Sequence, residues 1–399
     1  MNDSSTRLPR ALYAIAGGRA VSFLGDEVAT LAIAFRAKDH YGHLGVAAIL
    51  IANALPLVLL SAHAGFLVDR FRTKPVLIIT TLLQAAVCFA LAVSPAAFLI
   101  PLVVLLACGT AVATPAWQAL IPSIVPAEKL ASAFGTLQST ITLFGLAGPA
   151  LGGWLVGRFG FSWPLVFDGA SFVVLVAVAA LMRADRTPSG AGTERQRGQV
   201  TAGFRVVWSD AVLRSLLILI VVFIVVLGAI NVAEIFFITT ALHAGPTGYG
   251  FLGLCFGVGS VITSALAGRL TERWASSRLF VVGCFLVAGA LLGFSLSREL
   301  ALAAVFSVLV GIGNSLLNVS AMVIVSARVA DEVRGRVFSA VQGLASSGQV
   351  ISIVLGGLLL IVVAPGTVLL GSSVAALIVL LLTVGPVLRG ESRSEVAAS

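Results

Sequence analysis

Long apolar runs, each ended by a short polar stretch, recur from one end of the chain to the other. They cover residues 12–35, 45–67, 75–94, 97–121, 131–157, 161–182, 213–241, 247–269, 279–297, 300–327, 335–363 and 366–388. Each is long enough for the ~20 residues that carry a helix across a bilayer. Strands of a membrane barrel alternate polar and apolar residues, whereas these runs are apolar all round. The pattern predicts an all-α integral membrane protein with twelve transmembrane helices.

Composition and charge support this. Hydrophobic residues make up 59% of the 399 and charged residues only 11%, against about a quarter charged in a soluble domain. The net charge of +8 does not mark a nucleic-acid binder, because the basic residues follow the loops. With both termini on one side, that side carries 20 of the 25 Lys and Arg, while Arg36, Lys38, Arg158 and Arg298 fall on the other. The positive-inside rule then places both termini in the cytoplasm, with an even number of spans. The first run is too long for the h-region of a cleaved signal peptide and is read as a retained span. Cys88, Cys108, Cys255 and Cys284 lie inside runs without a Cys-x-x-Cys pair and read as small apolar residues. His40, His43, His63 and His243 lack metal spacing. The glycines of 257–259 and 311–313 follow no strand, so no dinucleotide loop is expected. No cofactor, metal or catalytic cluster is predicted.

The chain repeats itself. Shifted by 203 residues, SAHAGFLVDRF at 61–71 falls on SALAGRLTERW at 264–274. A shift of 204 pairs Glu128 with Glu332, Gln138 with Gln342, and Leu151, Gly152 and Gly153 with Leu355, Gly356 and Gly357. The runs therefore divide into a six-helix bundle over 1–182 and a second over 211–399. Between them, 183–210 reads as a cytoplasmic linker that ends in an interfacial helix with Trp208 at headgroup level. Two such bundles can rock about a shared midplane site.

Particular segments carry a family resemblance. Gly65, Asp69, Arg70, Arg72 and Lys74 close the loop after the second run, and Gly268, Glu272 and Arg273 repeat part of it. This resembles the signature loop of the major facilitator superfamily, although Arg72 stands where glycine is frequent. The resemblance implies that Asp69 latches the cytoplasmic side by accepting hydrogen bonds at a helix N-terminus. Gly145, Gly148, Pro149, Gly152 and Gly153 in the fifth run resemble the glycine–proline motif of the superfamily's antiporters, with Phe144 replacing one further glycine. Small residues at this spacing flatten a helix face for close packing. Gly25–Asp26, Thr114–Pro122, Asp168 with Ser171 and Phe172, and 331–337 are similar to the bacterial drug, siderophore and macrolide exporters. A multi-pass protein of the bacterial inner membrane, acting as a monomer on small molecules and protons, is implied.

Acids within a bilayer cost roughly 2.5–3.5 kcal/mol each on insertion scales and are functional candidates by default. Asp26 and Glu27 in the first run, Asp168 in the sixth and Glu234 in the seventh qualify. Arg19 lies two turns before Asp26 on the same helical face. Asp26 is thus either a proton carrier or half of an ion pair with Arg19. Glu234, one turn after Asn231, either binds substrate or protons or is hydrated at the outer mouth. Asp168, near the outer end of its run, reads as hydrated. Asn53, Gln84, Gln118, Gln138, Asn314, Asn318, Gln342 and Gln349 either line a cavity or bond between helices. The resulting expectation is a proton-coupled exporter rather than an enzyme. An importer or facilitator of the same fold, or a membrane receptor or enzyme, stands as the alternative.

Overall fold

The computed structural model describes residues 10–126, 129–182, 208, 211–329 and 331–396, and these are helical almost throughout. We name the helices α1 (Arg10–Arg70), α2 (Thr73–Val93), α3 (Leu99–Leu120), α4 (Leu130–Phe159), α5 (Ser162–Leu181), α6 (Ala211–Gly228), α7 (Ile230–Thr240), α8 (Pro246–Arg273), α9 (Ser276–Leu296), α10 (Leu300–Arg328), α11 (Asp331–Val362) and α12 (Pro365–Val396). α1 holds two expected spans in one run, interrupted at Gly42 with φ 61° and ψ −145°. A Cβ makes that backbone region costly, so glycine supplies the turn. Pro246 starts α8, where a missing amide leaves no bond unmade, and Gly160 closes α4 at φ 81°.

The protein is all-helical, with ten to twelve apolar helices. Ten described stretches are long and apolar enough to cross a membrane. The shortfall from twelve has two sources. One apolar stretch, Ala11–Leu57, runs through Gly42, and the apolar part of α11 is only Gly348–Val362. The expected seventh span is continuous from Leu217 to Thr240, with a one-residue turn at Ala229 between α6 and α7 where the backbone keeps helical angles, φ −60° and ψ −26°.

The described residues pack as two compact units, drawn from Met1–Thr193 and Glu194–Ser399. In the first, α1 packs on α3, α4 and α5, and α2 packs on α3 and α5. In the second, α6 and α7 pack on α11 and α12, α8 on α10, and α9 on α10 and α12. The pairing scheme is the same once α1 is counted as two spans. Each unit buries its own apolar core. In the first, Leu12, Ile15, Leu77, Trp117 and Leu120 fill one end, and Ile33, Leu91, Leu99 and Leu165 fill the other. In the second, Leu217, Phe223, Phe280, Cys284 and Leu380 form the core.

Lipid tails are as apolar as leucine, so close backbone approach takes over from hydrophobic burial in holding helices together. α8 and α10 meet in this way. A Cβ on Gly259 would strike the Val308 carbonyl, and one on Gly311 the Phe256 carbonyl. Ser260 Oγ donates to Gly311 O at 3.1 Å across the same contact. Gly259 and Gly311 are thus packing surfaces, and Gly313 packs on Gly283 and Val287 of α9. Gly311→Ala should lower the melting temperature in detergent, at a cost of about 1–3 kcal/mol for overpacking. Gly289 has open space where its Cβ would go, so Gly289→Ala should leave stability unchanged or raise it by up to about 1 kcal/mol. Equal melting shifts for the two variants would refute this packing account.

Candidate functional site

Three acids of the first unit gather where α1, α2, α4 and α5 meet. Asp168 on α5 is 0% exposed, so the hydrated position expected for it is corrected. Its partner Cys88 belongs to a small buried cluster with Ala85 and Phe172. The Asp168 carboxylate is held from two helices. Cys88 Sγ on α2 donates to Oδ2 at 3.2 Å. Ser171 Oγ, one turn along α5, lies 3.3 Å from Oδ1 and donates to the Asp168 carbonyl at 2.7 Å. Gly25 makes room for this group: a Cβ there would sit 2.6 Å from both Asp168 Oδ1 and Ser171 Oγ.

Asp26 follows Gly25 on α1 and lies within electrostatic reach of Asp168, Arg19 and Glu27. Asp26 and Glu27 are both half-buried. Among the described residues neither makes a hydrogen bond, nor a salt bridge within 4.0 Å. The ion pair offered as one reading of Arg19 and Asp26 is not formed. The Arg19 Nε is itself buried without a hydrogen-bond partner.

The glycine–proline motif packs α4 against this stretch of α1. Gly145 lies against Phe23, with 2.5 Å from its would-be Cβ to the ring. Gly148 lies against the Glu27 side chain, and a Cβ on Gly152 would sit 3.1 Å from Val28 Cα. Positions i, i+3 and i+7 share one face of a helix, so one stripe of small residues makes all three contacts. Gly153 is buried beside it, and Pro149 removes one backbone donor within the helix.

The second unit repeats this crossing with different chemistry. Gly348, Ser352 and Gly356 of α11 face Val225, Gly228 and Ala229. Ser352 stands at the repeat position of Gly148, and its Oγ donates to Val225 O at 2.5 Å. Asn231 Nδ2 donates to Gly228 O at 3.2 Å. Side-chain donors thus serve carbonyls beside the turn at Ala229, between α6 and α7. Glu234, half-buried and one turn beyond Asn231, has no hydrogen bond or ion pair among the described residues.

The other expected residues scatter. Gln84 is buried and donates to Thr110 Oγ1 at 2.9 Å between α2 and α3, the interhelical reading. Asn318 Nδ2 donates to Asn314 O at 2.7 Å along α10. Asn53, Gln118 and Gln349 are exposed. Of the signature loop, Arg70 and Arg72 are exposed, while Lys74 Nζ donates to Ala180 O and Met182 O at 2.7 Å and caps α5. The side chains of Gly65, Asp69, Gln138, Gly268, Glu272, Arg273 and Gln342 lie outside the described residues, as does the linker apart from Trp208. Two contributors were missed. Cys88 looked like an apolar filler because its partner is 80 residues away. Arg36 looked like an outer loop charge, yet it donates to Leu91 O at 2.7 Å and to Ser94 O, capping α2.

Apolar helices of this length with acids inside them, none ion-paired among the described residues, fit a membrane transporter. The chain matches the family described as transmembrane secretion effector over residues 14–398 and belongs to it, within the major facilitator superfamily. It is 23% identical over 366 residues to YfiS of Bacillus subtilis (strain 168), an uncharacterized transporter of that superfamily, covering 88% of this chain and 87% of YfiS. It is 30% identical over 161 residues to the multi-drug resistance efflux pump PmrA of Streptococcus pneumoniae, covering 40% of this chain and 39% of PmrA. It is 27% identical over 180 residues to macrolide efflux protein A of Streptococcus pyogenes, covering 43% and 44% of the two chains. A POT family transporter solved with 5-aminolevulinic acid shares the fold, with a TM-score of 0.75 at 11% identity over 94% of this chain and 95% of that one. The protein is thus a multi-pass membrane transporter of a bacterial-type family, and its family and fold are not those of enzymes.

The contact between Gly148 and Glu27 can be tested by a double-mutant cycle. Gly148→Ala should destabilise the detergent-solubilised protein by about 1–3 kcal/mol. Adding Glu27→Gly removes the colliding Cβ and should restore most of that loss, after correction for Glu27→Gly alone. Strict additivity would show that the two positions do not touch.

Proposed function

We propose that this protein is a proton-coupled exporter that moves a small organic molecule out of the cytoplasm by alternating access. One observation carries the reading. Asp26, Glu27, Asp168 and Glu234 lie inside apolar helices, and none has a basic partner within salt-bridge distance among the described residues. Such acids are expensive in a bilayer and are retained where protons or cationic groups bind. The glycine–proline stripe supports the antiport branch, because it packs directly on Glu27. The efflux pumps among the relatives support the direction and a drug-like or secondary-metabolite substrate. In this reading twelve spans form two six-helix bundles, 1–182 and 211–399, joined by a cytoplasmic linker. The protein acts as a monomer in the bacterial inner membrane with both termini in the cytoplasm.

Asp26 is the first carrier and Glu234 the second. Asp26→Asn should abolish uphill export driven by a proton gradient in inverted vesicles, while exchange of substrate remains. It should also remove proton release when a panel of macrolides and cationic dyes is added to the purified protein. A potential of 100 mV supplies about 2.3 kcal/mol per charge, so loss of coupling is visible as loss of accumulation. Unchanged proton release in both Asp26→Asn and Glu234→Gln would remove both residues as carriers and return the importer or facilitator reading.

The signature loop acts as a latch in one state of the cycle. Asp69→Asn should insert and fold normally but turn over more slowly, because a charge–dipole contact of roughly 0.3–2 kcal/mol is lost in that state alone. Wild-type transport rates in this variant would sink the latch.

A further inference from the structure

We propose that Arg19 on α1 binds an oxyanion of the transported molecule, so that the substrate is an organic molecule carrying a carboxylate or a phosphonate. The proposal rests on the exporter reading and deepens it by naming the chemical class of what is carried.

Arg19 sits deep in its span. Within the run 12–35 it lies about 7 Å from the centre at 1.5 Å per residue. Its neighbours on the helix face are turned to protein. Ile15 and Ala16, one turn before it, and Ser22, one turn after it, are all buried. Phe23 packs with Ile15 and Ala16 in one apolar cluster. Positions three and four apart share a face, so Arg19 leaves α1 on the protein side and not on the lipid side.

The guanidinium has nothing to bind there. Its Nε is buried without a hydrogen-bond partner. The group makes no salt bridge within 4.0 Å among the described residues. A guanidinium carries its N–H donors in a planar fork and has no acceptor. The residue as a whole is half-buried, which leaves the end of that fork reachable. An arginine that snorkels carries its nitrogens out to the headgroups, whereas this Nε is enclosed by protein.

The acids nearby are otherwise placed. Asp26 is seven residues further along the same face, roughly 10 Å up the helix axis. Glu27 lies against Gly148 of α4. Asp168 accepts from Cys88 Sγ and Ser171 Oγ. The internal repeat also shows that the packing does not require a cation. The shift of 203 puts Val222 at the place of Arg19 and Ala229 at the place of Asp26, and the second unit builds its matching crossing with those residues. An uncompensated charge in a poorly solvated interior is costly, and such a residue inside a membrane marks a substrate path by default. An oxyanion matches the fork with two oxygens at once. A neutral or cationic molecule would leave the charge uncompensated.

The first test is thermal melting of the full-length protein in detergent with benzoate or benzamide, which share a ring and differ in charge. Benzoate near saturation should raise the wild-type melting temperature by about 2 °C or more, and benzamide should not. Arg19→Gln should remove the benzoate shift. Arg19→Lys keeps the charge and loses the fork, so its shift should shrink without vanishing. The second test is fluorescence polarisation with rhodamine B, which has a free carboxylate, and its ethyl ester. The wild type should bind the free acid about tenfold tighter, the value of one charge-assisted hydrogen bond, and Arg19→Gln should bind the two alike. Equal effects of benzoate and benzamide on the wild type, or equal affinities for the two dyes, would overturn the proposal. So would a benzoate shift that survives in Arg19→Gln or is undiminished in Arg19→Lys. Neither measurement uses a proton gradient. Failure of proton coupling therefore shows separately, as absent proton release on adding the macrolide and dye panel to the wild type.

Discussion

Close approach of helix backbones is the interaction on which this architecture depends. In lipid a leucine gains little by leaving its surroundings for another leucine, so contact must come from short side chains and from polar groups that find partners inside. The crossing of α1 with α4 and α5 shows both. Gly145, Gly148 and Gly152 bring α4 onto α1, and Gly25 lets the Asp168 carboxyl reach the α1 backbone. The same shortening of side chains that joins the helices also brings three acids into one neighbourhood. Packing and chemistry are therefore not separable here, because a methyl group added to hold or loosen the helices would also move a carboxyl.

Basic residues complete the accounting of backbone groups at the helix ends. Lys74 takes the last carbonyls of α5, and Arg36 takes those of α2. Cations suit the negative end of a helix, and near the membrane surface they also spare carbonyls that lack a partner. This gives two residues that hydropathy treats as loop charges a defined place in the fold. Lys74 in particular belongs both to a signature loop and to the cap of the helix that carries Asp168.

Much of the architecture was legible in the chain, and particular residues show where legibility ended. Span length and the absence of polar alternation announce membrane helices, because lipid imposes both. The internal repeat marked Gly148 and Ser352 as equivalents, and they occupy equivalent crossings. It did not show that one would face a carboxyl and the other a carbonyl, since that depends on which side chain the opposite helix presents. Asp168 was misplaced because position along a span says nothing about enclosure by neighbours. Cys88 carried no signal at all, for its role exists only when α2 and α5 are side by side. Asn231 was read beside Glu234 as a substrate or proton site, while its amide serves the Gly228 carbonyl of its own helix, a contact that spacing along the chain does not announce.

The exchange of Gly148 for Ser352 at the repeated crossing has a consequence for how each copy is fastened. Ser352 ties α11 to α6 through a hydrogen bond to the Val225 carbonyl, and a bond of that kind fixes the depth at which one helix stands against the other. Glycine at the same place in the first unit has no side-chain donor, so at that position α4 meets α1 by shape. One copy of the duplicated design thus carries a peg at this crossing and the other a smooth bearing.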